Sequence, residues 1–71
     1  MVKLPAMTAR EVERVLQRAG FVLARQTGHR IWQRDGFGVP VPVHPGDLPP
    51  GTLRNIIKLT GMTVEEFLDL R

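Results

Sequence analysis

Residues 21–36 read FVLARQTGHRIWQRDG, two strand-like runs that each end in a turn signal. The first run, from Phe21 to Gln26, is rich in residues that favour strands, and Thr27-Gly28 after it reads as a tight turn. The second run alternates from His29 to Arg34, and Asp35-Gly36 is the next turn signal. We therefore predict two consecutive antiparallel strands at the centre of the fold.

A third strand is predicted over residues 39–44, and its prolines indicate where it lies. Pro40 and Pro42 are two residues apart, so the amide donors that they lack lie on the same side of the strand. That side cannot pair with another strand. We therefore expect this strand at the edge of the sheet, bonded to the second strand through its other side.

Helices are predicted before and after these strands. Thr8 and Glu11 form a capping box that begins the first helix, and Gly20 is placed to end it in a left-handed cap. Apolar residues at helical spacing predict a second helix before Gly61: Leu53, Ile56 and Ile57. Residues 62–67 repeat the opening signature of the first helix and predict a short third one.

The order of the elements is α-β-β-β-α followed by a short C-terminal helix. This order predicts an α+β fold of one domain over residues 1–71, with the helices covering one face of the sheet. A domain of this size buries only about 60% of the surface of its unfolded chain. Its core is thin, so we expect a surface site rather than an enclosed pocket.

Composition narrows the classes of function. The formal net charge is +3, which indicates an anionic partner. Cysteine is absent, so no disulfide staples the fold and no thiolate acts as nucleophile or ligand. No apolar run approaches the ~20 residues of a membrane span, and the first residues lack the apolar region of a signal peptide. We expect a cytoplasmic protein without a membrane segment.

His29 is the first candidate for chemistry, because it begins the second strand beside Arg30 and near Trp32. A histidine exchanges protons near neutral pH, and arginines stabilise the charge of a phosphate undergoing cleavage. RNA cleavage without a metal needs both. The alternative is an ordinary exposed strand histidine. We expect no metal site and no cofactor, because His29 and His44 have no further ligands at a recognised spacing.

Two groups of arginines are candidates for RNA contacts. Arg10, Arg14 and Arg18 are spaced by four and form one stripe along the first helix; the alternative is an ordinary solvated helix face. Arg30 and Arg34 flank Trp32 on one strand face, where the indole stacks on a base if it does not belong to the core.

Four short motifs in register resemble those of the HicA/YcfA-like toxins, which are small ribonucleases with a double-stranded-RNA-binding-domain-like fold. The motifs are Ala19-Gly20-Phe21, Thr27-Gly28-His29, Val41-Pro42-Val43-His44 and Pro50-Gly51-Thr52-Leu53. The resemblance extends over nearly the whole chain. It implies that His29 is catalytic and that Thr27, Gly28 and His44 lie at the RNA. The alternative for His44, which precedes Pro45-Gly46, is a turn histidine bonded to a backbone carbonyl. The family's usual serine before the histidine is Gly28 here, which leaves Thr27 as the neighbouring hydroxyl.

The resemblance also implies a function. It is that of a toxin ribonuclease, or mRNA interferase, that cleaves mRNA by metal-independent acid–base catalysis in a HicA/HicB-type toxin–antitoxin system. Its partner would be a HicB-like antitoxin. Two alternatives stay open: a non-catalytic RNA-binding module of the same fold, and a protein-interaction or DNA-regulatory domain whose basic surface meets an acidic partner.

Overall fold

The structure is a computed structural model that describes residues 3–71, with the backbone alone for Thr27. It contains three helices and one antiparallel three-stranded sheet of order β1-β2-β3. Along the chain the elements are α1 (Ala9–Arg18), β1 (Val22–Thr27), β2 (His29–Arg34), β3 (Phe37–Pro42), α2 (Pro50–Thr60) and α3 (Val64–Asp69). The predicted α+β fold, with its α-β-β-β-α order and short third helix, is confirmed.

Both predicted capping boxes are present. The Thr8 hydroxyl accepts from the backbone N–H of Glu11 at 3.2 Å, and the Glu11 carboxylate accepts from the N–H of Thr8 at 2.9 Å. Thr63 and Glu66 repeat this exchange at the start of α3, at 3.1 and 2.8 Å. Because the bonds from the threonines favour the charged carboxylates, they hold the pKa values of Glu11 and Glu66 below the usual range.

The strand boundaries differ from those predicted. β3 begins at Phe37 rather than at position 39, because the turn at Asp35-Gly36 has left-handed φ angles of 46° and 84° and places Phe37 directly opposite Arg34. It ends at Pro42, so His44 lies beyond the strand. β1 runs from Val22 to Thr27 rather than from Phe21 to Gln26. It ends one residue later than expected because Thr27 pairs with His29 across Gly28 alone.

A β-bulge divides β1 into two parts. Leu23 pairs with Trp32 and Arg25 pairs with Ile31, so Ala24 is the extra residue on its strand. Without the bulge, Leu23 and Arg25 would lie on the same face of the sheet. With it, Leu23 lies on the face of Trp32, and Arg25 lies on the opposite face.

The core lies between the helices and one face of the sheet. Trp32 is only 4% exposed and belongs to this core, which decides between the two roles that the sequence left open. The buried apolar side chains are Met7, Val12, Val15, Leu16, Phe21, Trp32, Val39, Val41, Leu48, Leu53, Ile56, Ile57 and Phe67. Among residues 3–71, no helix has the length and apolar character needed to cross a membrane.

Candidate functional site

Glu13 connects α1 to β2 and organises one side of the site. Its Oε2 accepts a hydrogen bond from Arg30 Nε at 2.5 Å and another from Trp32 Nε1 at 2.8 Å. The side chains of Glu13 and Arg30 are 18% and 31% exposed. A charge-assisted bond that is partly shielded from water is stronger than an exposed ion pair. Arg30 is therefore held in one orientation before any ligand arrives.

A shallow groove of about 240 Å³ runs along the seam between α1 and β2. We call it the arginine groove; its lining residues are Arg10, Glu13, Arg14, Gln17, Arg30 and Trp32. Three guanidinium groups face one carboxylate there, so the groove is positively charged. Neither Arg10 nor Arg14 forms an ion pair with another residue in the described part of the chain. Both guanidinium groups are free to bind an anion such as a phosphate.

Arg18 and Arg34 do not line the arginine groove. Arg18 Nη1 donates to the carbonyl oxygen of Leu70 at 2.9 Å, which ties the end of α1 to the C-terminal segment. Arg34 Nη1 donates to the carbonyl oxygen of Ala19 at 2.5 Å, and its guanidinium carbon lies 5.0 Å from the centroid of the Phe21 ring. Both arginines thus hold the C-terminal end of α1 in place.

His29 lies on the opposite side of β2. Side chains alternate along a strand, so His29 projects from the face that carries no helix, while Arg30 projects towards α1. We call the former the open face. His29 is exposed there and pairs with Thr27 in one ladder and with Pro42 in the other. The Thr27 side chain lies outside the described part of the structure.

Arg25 is a cation on the open face that the sequence did not indicate. It pairs with Ile31, two residues along β2 from His29, so Arg25 and His29 are diagonal neighbours across the ladder. Diagonal positions are about 7–8 Å apart, within reach of a long side chain. Strict alternation places Arg25 with Leu23, and only the bulge at Ala24 brings it to the face of His29.

Gly28 forms the turn between β1 and β2 with a φ of 77°. Glycine adopts this left-handed conformation without the steric cost that a Cβ imposes. A Cβ at position 28 would have no atom within 4 Å, so the cost of a serine there would come from the backbone and not from crowding. The turn therefore explains why glycine is suited to this position.

His44 is exposed and lies two residues beyond Pro42, the residue opposite His29. Two residues of extended chain span at most about 7 Å. The two histidines therefore belong to the same end of the sheet. Within the described residues, no group of three or more His, Cys, Asp or Glu side chains is arranged to hold a metal ion.

Glu13 is a second residue of this region that the sequence did not indicate. The signals for it were its position within the stripe of α1, between Arg10 and Gln17, and the need of a buried Trp32 for a partner for its N–H. The structure brings Arg10, Arg14 and Arg30 into one groove around this carboxylate.

Comparison with known proteins gives one family. The family model described as "HicA toxin of bacterial toxin-antitoxin" matches residues 9–62. This range begins at the first residue of α1 and includes the sheet, the arginine groove and both histidines. A search of curated proteins gives no match.

Proposed function

The chain belongs to the HicA toxin family, and on this premise we propose that it is a ribonuclease that cleaves mRNA without a metal ion. Membership makes it a toxin of a toxin–antitoxin system and implies an antitoxin partner. In this proposal the antitoxin is HicB-like, and the toxin acts on mRNA in the cytoplasm through a double-stranded-RNA-binding-domain-like fold.

The observation that carries the proposal is the position of His29 at the end of β2, one residue along the chain from Arg30 of the arginine groove. His29 and Arg30 are consecutive residues, so their Cα atoms are about 3.8 Å apart. Their side chains project to opposite faces at the end of β2 that meets the turn at Gly28. An RNA strand whose phosphates bind Arg10, Arg14 and Arg30 and which continues around this end reaches the imidazole of His29.

The chemistry follows from the groups at this end of the sheet. His29 accepts the proton of a ribose 2′-OH, and the 2′ oxygen attacks the adjacent phosphorus. As the new bond forms, the bond from phosphorus to the 5′ oxygen breaks, and a protonated imidazole returns a proton to that oxygen. The products are a 2′,3′-cyclic phosphate and a 5′-OH. Arg25 on the same face stabilises the added charge on the phosphorus oxygens, and His44 is the second group able to carry a proton.

Cleavage of a mixed RNA in EDTA tests this proposal, with the parent protein compared with His29→Ala. We expect the parent to produce fragments with 2′,3′-cyclic phosphate ends, and the variant to be slower by about 100-fold or more. Gln33→Ala is the matched control, because Gln33 is exposed on the same strand and face but its amide neither accepts nor releases a proton near neutral pH. Equal rates of cleavage by the parent and by His29→Ala would show that His29 takes no part in the reaction.

The second candidate is an RNA-binding module without activity. It is favoured by Gly28, which offers no hydroxyl to a substrate, and by the arginine groove, which binds phosphates whether or not His29 reacts. If neither parent nor His29→Ala cleaves RNA, and both shift it equally on a gel, this second function replaces the first.

A further inference from the structure

The two edges of the sheet differ in their capacity to accept another strand. Pro40 and Pro42 lie in β3 opposite Ile31 and His29. Because proline has no N–H, the outward side of β3 lacks a donor at both positions and is closed to strand addition. β1, at the other edge, contains no proline between Val22 and Thr27.

The prolines also determine which backbone groups of β1 point outward. Since Pro40 and Pro42 face away from β2, their partners Ile31 and His29 direct their N–H and C=O groups towards β1. Arg25 and Thr27, opposite these two residues, therefore exchange ladder bonds with β2. Leu23 and Gln26, opposite Trp32 and Arg30, turn their N–H and C=O groups away from the sheet.

Apolar side chains accompany these outward groups. Val22 is 64% exposed and Leu23 is 38% exposed, although Trp32, the partner of Leu23, is buried. Val22, opposite Gln33, lies on the open face, whereas Leu23 lies on the helix side, where the helices leave it partly uncovered. Open backbone groups beside exposed apolar side chains are the features by which a sheet edge accepts an additional strand.

We propose that β1 is the edge on which the antitoxin docks, through an acidic extended segment that adds a fourth strand to the sheet. This inference rests on membership of the toxin family and does not require ribonuclease activity. The charges favour this occupant, because Arg25 lies on β1 and the chain carries a net charge of +3. A second copy of the chain would carry the same charge and bring a second Arg25 onto the same short ladder.

The bulge at Ala24 limits what the edge accepts. Bulges twist an edge strand and interrupt its ladder, which discourages indiscriminate pairing. The regular part of β1 beyond the bulge is Arg25–Thr27. The added strand is therefore short, and it has to combine backbone pairing with apolar contacts to Val22 and Leu23.

Hydrogen exchange is the first test, using the complex formed with a HicB-like antitoxin. We expect the amides of Leu23 and Gln26 to exchange more slowly in the complex than in the free chain, because they gain backbone acceptors. Unchanged exchange at both amides in a stable complex would overturn the proposal. A free chain that already forms dimers with both amides protected would overturn it in favour of a second copy.

The second test compares Leu23→Pro with Leu23→Ala. Both lose the leucine side chain, but only the proline removes the outward N–H. We expect antitoxin binding to be about tenfold weaker or more for Leu23→Pro than for Leu23→Ala. Equal affinities, with both variants folded by circular dichroism, would contradict strand addition. RNA cleavage by both variants is measured in parallel, so that loss of the docking edge and loss of the ribonuclease function give separate results.

Discussion

The two sides of β2 differ in how firmly their polar groups are held. On the side that faces α1, Arg30 and Trp32 both donate to Glu13, and Arg34 donates to the carbonyl of Ala19. On the open face, His29 makes no side-chain hydrogen bond to another described residue and is exposed. The α1 side is therefore organised in advance, whereas the open face leaves the imidazole of His29 exposed, as the proposed reaction requires.

The largest expected effect is a difference in the free energy of unfolding between substitutions on the two sides of β2. Trp32→Ala removes a buried ring and should lower the free energy of unfolding by about 3–5 kcal/mol. His29→Ala, on the opposite side of the same strand, should change it by less than about 0.5 kcal/mol, because an exposed side chain contributes little packing. Urea denaturation of both variants measures the contrast. A large loss of stability in His29→Ala would mean that this histidine is structural.

Glu13→Ala tests whether the α1 side is held by one carboxylate. The substitution leaves the N–H groups of Arg30 and Trp32 without their acceptor, and we expect a loss of about 1–3 kcal/mol. It should also weaken RNA binding, since Arg30 loses its fixed orientation. Glu65→Ala is the control, because Glu65 is an exposed glutamate that makes no such bonds. Thermal unfolding that is equal for the two variants would contradict the role of Glu13.

Arg10 and Arg14 should contribute to RNA binding and not to stability, because both are exposed and without ion pairs among the described residues. For single-stranded RNA, each phosphate contact contributes about 0.7 to the slope of log affinity against log salt concentration. The double variant Arg10→Ala, Arg14→Ala should therefore reduce that slope by about 1.4. The matched control is Arg54→Ala, Lys58→Ala on α2, which should leave the slope unchanged.

The smallest expected effect is a pH dependence that comes from the capping boxes and not from either side of β2. The pKa values of Glu11 and Glu66 are lowered in the folded chain, so their contribution to stability is present above the unfolded pKa. It is lost as the pH falls through the folded pKa. The double variant Glu11→Gln, Glu66→Gln should lose less of its melting temperature between about pH 6 and pH 3 than the parent. An equal loss would contradict this account.

Much of the fold could be predicted because its signals are local. The capping boxes, the turn at Asp35-Gly36 and the edge position of β3 each follow from neighbouring residues. Alternation also placed Arg30, Trp32 and Arg34 correctly on one face. Their hydrogen-bond partners lie on α1 and after it, and sequence spacing within a strand carries no information about contacts between elements.

The site was less accessible from the sequence because it depends on one irregularity. A strict period of two assigns Arg25 to the face of Leu23, and nothing in the residue types around Ala24 signals a bulge. The cation beside His29 was therefore missed, while the histidine itself was indicated by a motif. The Glu13 contacts were missed for a similar reason, since they depend on the packing of α1 against β2.

The bulge at Ala24 places the side chains of Leu23 and Arg25 on different faces of the sheet. Before the bulge, Leu23 lies on the face of the buried Trp32, whereas after it Arg25 lies on the open face with His29. In the proposed ribonuclease, a substitution of Arg25 would therefore change the open face without altering the packing of Leu23 or Trp32. An insertion or deletion of one residue at this point would move the side chains of one half of the strand to the opposite face of the sheet. For this chain, the tolerable route to new specificity is substitution and not a change in strand length.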